Sequence, residues 1–205
     1  CHVGGNSAPN GNDAYLVSGG TLTASPCPDG YTSTVDGTLD VYGGSGTYDS
    51  YTCSPLFNVS DFTSLSQAIE DRVIITVTED IAFPTYIVIP ADMTVTISGA
   101  AVDTKLDGGG VTRHFYVEGT LILEDMILAN GWADPTGEGT FPNTVGGAVF
   151  LANGANGNFT RTTFTSNSAS LGGAVDIELG ASGAFVDSAF FSNYGATHGG
   201  ALFLS

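Results

Sequence analysis

One short phrase occurs three times near the end of the chain and sets the strongest limit on its fold. "GGAVFL" begins at Gly146, "GGAVDI" at Gly172 and "GGALFL" at Gly199, so successive copies begin about 26 residues apart. A second phrase, "FTSN" at Phe164, returns as "FFSN" at Phe190 with the same spacing. Two phrases that share one period in this range are typical of stacked repeat proteins.

The residues inside each repeat indicate strands. β-branched and aromatic residues alternate with Gly, Asn and Ser, and no helical spacing of apolar residues is present. The middle of the repeated phrase holds Phe150, Asp176 and Phe203. Because side chains alternate across a strand, we expect this middle position to face solvent and its neighbours to face the core. Those neighbours are Val149, Leu151, Val175, Ile177, Leu202 and Leu204.

Strands that pair with their equivalents one repeat later form a parallel β-helix. The sequence therefore predicts an all-β fold, with a parallel β-helix over residues 58–205 and repeats of about 26 residues. We expect Asn167, Asn193 and, as a looser match, Asn130 to stack at one corner as a ladder of hydrogen-bonded amides.

The phrases "FTSNSASLGGAV" and "FFSNYGATHGGAL" resemble the repeats of the polymorphic outer-membrane proteins of chlamydiae. The clear match covers residues 146–205, and the less regular stretches upstream resemble the opening turns of such domains. The resemblance implies a right-handed parallel β-helix in a passenger or adhesin-like region at the cell surface. It identifies an architecture better than an activity, because one fold supports many functions.

Charge excludes two classes of partner. The 205 residues include 4 Lys and Arg against 21 Asp and Glu, for a net charge of −17. Binding to nucleic acid or to an anionic membrane relies on clustered basic residues, so neither is an expected partner. We find no apolar run that could insert into a bilayer. The chain starts at Cys1 without a signal peptide, which predicts processing or excision from a longer chain, and we expect an extracellular or cell-surface location.

The three cysteines lie in residues 1–57, a segment rich in Gly, Ser and Thr. This restriction favours an irregular, disulfide-containing segment over free thiols, with Cys27 and Cys53 as the simplest pair. Cys1 is then left for a partner chain, for an upstream segment or for lipidation. After this segment, "SLSQAIEDR" predicts a capping helix at Ser64–Arg72 with a capping box between Ser64 and Gln67.

Polysaccharide lyases and hydrolases also use parallel β-helices, and their sites require clustered carboxylates with a nearby base. The candidates are Asp103, Lys105, Asp107, Arg113, His114, Asp176 and Asp187. Their scattered positions predict turns and solvated surface instead of a catalytic site, so we expect no enzymatic activity and no required cofactor. A carbohydrate-active enzyme or a carbohydrate-binding module remains the alternative.

A long insertion, "NGWADPTGEGTFPN", interrupts the repeats and holds Asp134 and Glu138, which are candidate ligands for calcium. It also carries the single tryptophan, Trp132, which we expect to pack back on the repeats. Asn58 and Asn158 lie in glycosylation sequons, and Asn158 is expected in a turn from which a glycan could project.

These features together predict a non-catalytic structural or adhesive protein of a cell-surface layer or filament. Leu202 and Leu204 are expected in the core phase of a further repeat, with an unpaired strand edge beside them. We therefore expect either a longer native chain that continues the repeats or head-to-tail association between copies.

Overall fold

The computed structural model describes residues 55–205 throughout and, before them, the backbone of the strands at 14–15, 31–39, 41–42 and 48–54. The chain divides into two compact units, Cys1–Leu56 and Phe57–Ser205. The described residues are mostly β-structure, and the sheets of the second unit are parallel.

Four strands lie wholly or partly in the first unit. They are β1 (Ala14–Tyr15), β2 (Tyr31–Leu39), β3 (Val41–Tyr42) and β4 (Tyr48–Val59), and β4 extends past the boundary between the units. β1 pairs with β3 in parallel, and β2 pairs with β4 in antiparallel fashion, with a register shift between Val35 and Gly37. The backbone of Cys53 pairs with that of Ser33. Cys1, Cys27 and the side chain of Cys53 lie outside the described residues, so the disulfide prediction stays a prediction.

The second unit contains one helix, α1 (Phe62–Gln67), and fifteen strands. The strands are β5 (Val73–Val77), β6 (Ile81–Ala82), β7 (Ile87–Ile89), β8 (Thr94–Gly99), β9 (Lys105–Asp107), β10 (Phe115–Val117), β11 (Thr120–Ala129), β12 (Val149–Leu151), β13 (Asn156–Thr165), β14 (Ser168–Leu171), β15 (Val175–Ile177), β16 (Ser182–Val186), β17 (Ala189–Phe191), β18 (Tyr194–His198) and β19 (Leu202–Leu204).

The strands of the second unit form three sets of parallel ladders. One sheet has the order β19-β15-β12-β10-β7, a second has β16-β13-β11-β8-β5 along its main path, and β14 pairs with β18. Each strand pairs with its equivalent one repeat away: Val149 aligns with Val175, and Val175 aligns in turn with Leu202. The period read from the sequence is thus the register of the ladders.

The core follows the predicted phase of the repeated phrase. Val149, Leu151 and Val175 are fully buried, and Ile177 is nearly so. Leu202 is half-buried against the same core, whereas Leu204 is exposed. Equivalent phenylalanines stack along the ladders, with ring centroids 5.0 Å apart for Phe159 and Phe185 and 4.9 Å apart for Phe164 and Phe190. Such stacks add attraction beyond the burial of apolar area.

The predicted helix exists, but its limits were wrong. It begins earlier than Ser64, because Asp61 is the N-cap: the Asp61 side chain accepts from the Ser64 backbone at 2.9 Å, and Ser64 completes the capping box. It ends at Gln67, with Ala68 as the C-cap. Arg72 cannot belong to it, because Arg72 has a positive φ of 58° and directly precedes β5. Its apolar side is anchored by Leu65, which is fully buried in the core.

Left-handed backbone marks the corners between ladders. Asp125, Arg161 and Asp187 occupy one such position, and the first glycine of each repeated phrase, at 146, 172 and 199, occupies another. At Gly172 an added Cβ would overlap the carbonyl oxygen of Val175, so the turn requires glycine for space as well as for φ. Within the described part of the chain, no helix combines the length and the apolar character that a bilayer crossing requires.

Candidate functional site

The middle position of the repeated phrase is buried, which corrects the expectation that it faces solvent. Tyr116 of β10, Phe150 of β12 and Asp176 of β15 align in register, on the side of their sheet opposite the core. Phe150 and Asp176 are each only 1% exposed, and Phe203, which aligns with Asp176 on the other side, is half-buried. Another part of the chain therefore covers this face.

The cover is the insertion between β11 and β12, residues 131–145, which we call the covering segment. The chain from Ala129 to Val149 is twice as long as the chain between their register partners, Thr165 and Val175. The additional length places Phe141 edge-on against Phe150, with centroids 5.6 Å apart, while Phe141 itself stays 63% exposed. The insertion thus explains why Phe150 is buried although its side chain faces away from the core.

Beneath this segment lies a group of five residues that we call the Arg113 site: Arg113, Asp176, Tyr86, Tyr116 and Phe150. The three rings form a row, with centroids 6.3 Å apart between Tyr86 and Tyr116 and 5.1 Å apart between Tyr116 and Phe150. Tyr86 is 41% exposed, whereas Phe150 is buried. The row therefore runs from solvent to a closed interior.

Arg113 reaches this face because it precedes β10 and points away from the core, opposite to its neighbour His114. Its guanidinium carbon lies 5.9 Å from the Tyr86 ring centroid and 5.6 Å from that of Phe150, within range for cation–π attraction. Nη2 donates to the carbonyl of Pro142 in the covering segment, and Nη1 has no partner. Burial lowers the pKa of Arg113 to about 10, opposed by Tyr86, Tyr116 and Asp176, so it stays charged at neutral pH.

Asp176 supplies the opposite charge without closing an ion pair. Its Oδ1 is buried and unpartnered, and its carboxylate makes no salt bridge to Arg113. Burial, with Glu178 as a second cause, raises the pKa of Asp176 to about 7, while Arg113 acts in the opposite direction. At neutral pH the group is therefore present in both forms and can donate or accept a hydrogen bond.

The remaining enzyme candidates do not join this site. His114 is fully buried in the core, where Nε2 contacts the Leu106 carbonyl at 3.0 Å and the ring packs edge-on against Phe83. Asp103 and Asp187 are exposed. Asp107 belongs to a turn network: it accepts from Gly109 and Asn130 and lies 3.2 Å from the Lys105 ammonium.

The two candidate calcium ligands, Asp134 and Glu138, lie in the covering segment. The two carboxylate oxygens of Asp134 accept from the Thr136 backbone and hydroxyl and from the Gly139 backbone, at 2.6 to 3.0 Å. Glu138 is exposed, and its backbone contacts the Thr136 hydroxyl. Among the described residues, no three His, Cys, Asp or Glu side chains come together in a group that could hold a metal ion.

The asparagine ladder has two members in register, and its third predicted member lies elsewhere. Asn167 and Asn193 are joined through their side-chain amides at 3.0 Å. Asn130 is one position early, because Ala129 aligns with Thr165 and therefore Gly131, not Asn130, is opposite Asn167. Gly131 donates its backbone N–H to Asn167 Oδ1 at 2.7 Å, and Asn130 instead donates to Asp107.

Both sequon asparagines are exposed, as attachment of a glycan requires. Asn58 lies in β4. Asn158 lies inside β13, paired with Ile122 and Ala184, and not in the expected turn. The glycine beside it, Gly157, misled the prediction: it faces inward and makes room for the Phe159 ring. Trp132, predicted to pack back on the repeats, is 36% exposed, and its backbone bridges to Ser168.

Sequence reasoning considered Arg113 and Asp176 one at a time and missed that they share a covered face. Two signals were available: the excess chain length before β12, and a phenylalanine at a position expected to face water. No protein-family model, curated protein or solved structure matches this chain significantly.

Proposed function

We propose that residues 58–205 form a right-handed parallel β-helix and that the protein is a non-catalytic structural or adhesive component of an extracellular or cell-surface layer or filament. The observation that carries the proposal is the constant register: successive strands align one repeat apart throughout the β12-β15-β19 ladder and again in the β13-β16 ladder. Parallel strands connected within one sheet are almost always joined with right-handed connections, which supports the hand.

The repeated chemistry of the ladders also favours a scaffold. Stacked rings at Phe164 and Phe190 and stacked amides at Asn167 and Asn193 place like groups on like groups, which is how repeat proteins stabilise each layer against the next. The resemblance of the repeats to chlamydial polymorphic outer-membrane proteins agrees with a surface role. Glycans on Asn58 and Asn158 fit the same location, since both are exposed.

The partner that we propose is a further layer of the same kind, either more repeats in a longer chain or a second copy. In the described sheets β16, β18 and β19 are edge strands, which pair on one side only. Apolar side chains are exposed beside these edges, including Phe191 at 59% and Tyr194. Unpaired backbone groups next to apolar surface form a template for strand addition.

The association test uses the purified 205-residue chain in sedimentation velocity over a rising concentration series, together with the mass of the native molecule. We expect either a native mass above that of this chain or concentration-dependent assembly that Tyr194→Lys weakens about tenfold, since it places a charge in the contact. Val102→Lys is the matched control, because Val102 is 70% exposed, against 60% for Tyr194, but lies away from these strands. A native molecule of this length that stays monomeric would refute the proposal.

A polysaccharide-cleavage screen with calcium present tests the competing enzyme hypothesis. The Arg113 site is the specific feature that favours it, because an arginine and a carboxylate with a raised pKa lie on one face. We expect no product. Release of unsaturated or reducing sugars, lost in Asp176→Asn, would replace the structural proposal with a catalytic one.

A further inference from the structure

The Arg113 site contains two buried polar atoms of opposite character that have no partner. Arg113 Nη1 is a donor and Asp176 Oδ1 is an acceptor, and their residues are 4% and 1% exposed. Buried polar groups are nearly always paired in native proteins, so two unpaired atoms on one face need an explanation. Among the described residues none supplies a partner, since neither atom accepts or donates a hydrogen bond and Arg113 and Asp176 form no ion pair.

We propose that the Arg113 site binds a neutral saccharide, whose adjacent hydroxyl groups pair with Arg113 and Asp176 while the face of its ring packs on Tyr116 and Tyr86. One sugar hydroxyl accepts from Arg113 Nη1 and its neighbour donates to Asp176 Oδ1. This inference does not rest on the proposed structural function, since it requires neither assembly nor an extracellular layer.

Aromatic side chains support this ligand class. A sugar ring presents C–H groups on one face and hydroxyls around its edge, so it needs an apolar platform with donors and acceptors beside it. Tyr86 and Tyr116 provide such a platform, with centroids 6.3 Å apart, and Arg113 lies directly over the Tyr86 ring. Tyr86 is exposed enough for a ligand to make first contact.

Charge decides between a neutral and an acidic sugar. Arg113 alone would favour a uronate, but Asp176 lies in the same site and Glu178 lies close enough to raise its pKa. Glu118 acts on the pKa of Tyr116 in the same direction, after burial. An anionic ligand would meet these carboxylates in a chain of net charge −17, so a neutral ligand is favoured.

Access requires the tip of the covering segment, residues 134–143, to move, and hydrogen bonds within the tip allow it to move as a unit. The tip is closed on itself, through the Asp134 backbone bond to Asn143 and the Asp134 side-chain bonds to Thr136 and Gly139. Arg113 contacts the segment through the Pro142 carbonyl, and Phe141 contacts Phe150 edge-on. The two ends of the segment stay attached to the repeats, since Ala133 donates its backbone N–H to the Ser168 carbonyl and the Thr144 carbonyl accepts from Ser170. Exchanging the Pro142 and Phe141 contacts for contacts with a saccharide opens the site at the tip, without unfolding the segment.

Trp132, the single tryptophan of the chain, lies at an attached end of the covering segment, where its backbone N–H donates to the Thr112 carbonyl. A change in its fluorescence therefore reports a movement that reaches this end. The probes are cellobiose, maltose, mannobiose and diacetylchitobiose as neutral disaccharides, with digalacturonate as the acidic comparison. Saturation-transfer NMR detects contact with sugar protons, and titration of Trp132 fluorescence gives the affinity.

We expect at least one neutral disaccharide to bind with a millimolar or tighter Kd, with a change in Trp132 emission, and digalacturonate to bind at least about tenfold more weakly. Arg113→Gln and Tyr116→Ala should each weaken binding about tenfold or more. Phe141→Ala, a change at an exposed side chain, should keep the fold and strengthen binding by loosening the cover. Val102→Ala, at an exposed side chain in the turn between β8 and β9, is the control and should bind like the parent.

The inference is overturned if no neutral disaccharide shows saturation transfer at about 10 mM with folded protein. It is equally overturned if Phe141→Ala and Tyr116→Ala, both folded by circular dichroism, bind like the parent, or if digalacturonate is preferred. A native molecule of this length that stays monomeric and binds the sugar would refute only the structural proposal, and an assembling chain that binds none would refute only this one.

Discussion

The side-chain amide of Asn167 donates to the side-chain oxygen of Asn193 at 3.0 Å, and the same oxygen accepts the backbone N–H of Asn167. Asn167 also donates to the Leu128 carbonyl at 3.1 Å and accepts from Gly131 at 2.7 Å. One fully buried side chain therefore connects three successive layers of the repeat, with each of its polar atoms satisfied.

Asn167→Asp should destabilise the second unit by at least about 2 kcal/mol. The carboxylate keeps the acceptor for Gly131 but loses the donor for Leu128 and Asn193, and it places a charge against their oxygens. Denaturant unfolding at neutral pH measures the loss. Asn158→Asp makes the same chemical change at an exposed strand position and should cost little; equal stability of Asn167→Asp and the parent would mean that the amide pair contributes nothing.

His114 should make the protein less stable in acid. Burial lowers the pKa of His114 to about 4, from 6.5, so between these values the unfolded chain binds a proton that the folded chain excludes. The contribution is complete above pH 6.5, and about 3 kcal/mol is lost as the pH falls from 6.5 to 4.

Denaturant unfolding of the parent and of His114→Gln across this range isolates the effect. Gln can keep a hydrogen bond to the Leu106 carbonyl but does not titrate, so its stability should fall less steeply than that of the parent as the medium becomes acidic. Parallel curves for the two proteins would show that His114 is charged, or accessible to protons, in the folded state.

Asp176, in contrast to His114, should make the protein more stable in acid than at neutral pH. Burial raises its pKa from 3.8 to about 7, so the folded chain holds a proton more tightly than the unfolded chain does between these values. Its stability contribution is therefore complete below pH 3.8 and is lost as the pH rises to 7. Above about pH 7, Asp176→Asn should raise the free energy of unfolding by about 2 kcal/mol, the gain being reduced by the lost attraction to Arg113.

Thermal unfolding of the Asp176→Asn variant at neutral and at acid pH checks this prediction. The Tm advantage of the variant should shrink in acid, where the parent carboxyl is also neutral. Glu178→Gln is the control at the neighbouring carboxylate, and it should lower the apparent pKa of Asp176 because it removes a like charge. A variant that is less stable than the parent at every pH would indicate that the Asp176 carboxylate stabilises the folded state.

The ladders could be predicted from the sequence because equivalent layers carry equivalent residues. Val149 and Val175, or Phe164 and Phe190, occupy the same place in copies of one phrase, and register follows from counting. The same counting failed at Asn130, because Asn130 aligns with Ser166 and takes the left-handed corner position that Ser166 also has. There Gly131, whose missing side chain leaves room for Asn167, takes the ladder position.

The Arg113 site was harder to predict because its members come from different layers and share no motif. Arg113 and Asp176 come to the same face only after the strands are in register, and burial shifts both pKa values. Arg113 is in addition covered by Pro142, in a segment outside the repeat pattern. Strand alternation correctly assigns Phe150 and Asp176 to the outer face. It carries no information on whether another segment covers that face, which is a tertiary property.

Two glycines provide the last prediction. Both have left-handed backbone, but they differ in the space that is available for a side chain. Gly172 has a φ of +56°, and an added Cβ would overlap the Val175 carbonyl; Gly154 has a φ of +81°, with nothing within 4 Å of an added Cβ. Gly154→Ala should therefore cost only the backbone strain, about 1 kcal/mol, whereas Gly172→Ala adds a clash with backbone and should cost about 3 kcal/mol or more. Denaturant midpoints of the two variants measure the difference. Equal losses at the two sites would mean that the corner after each double glycine can relax, and that its glycine is needed for φ alone.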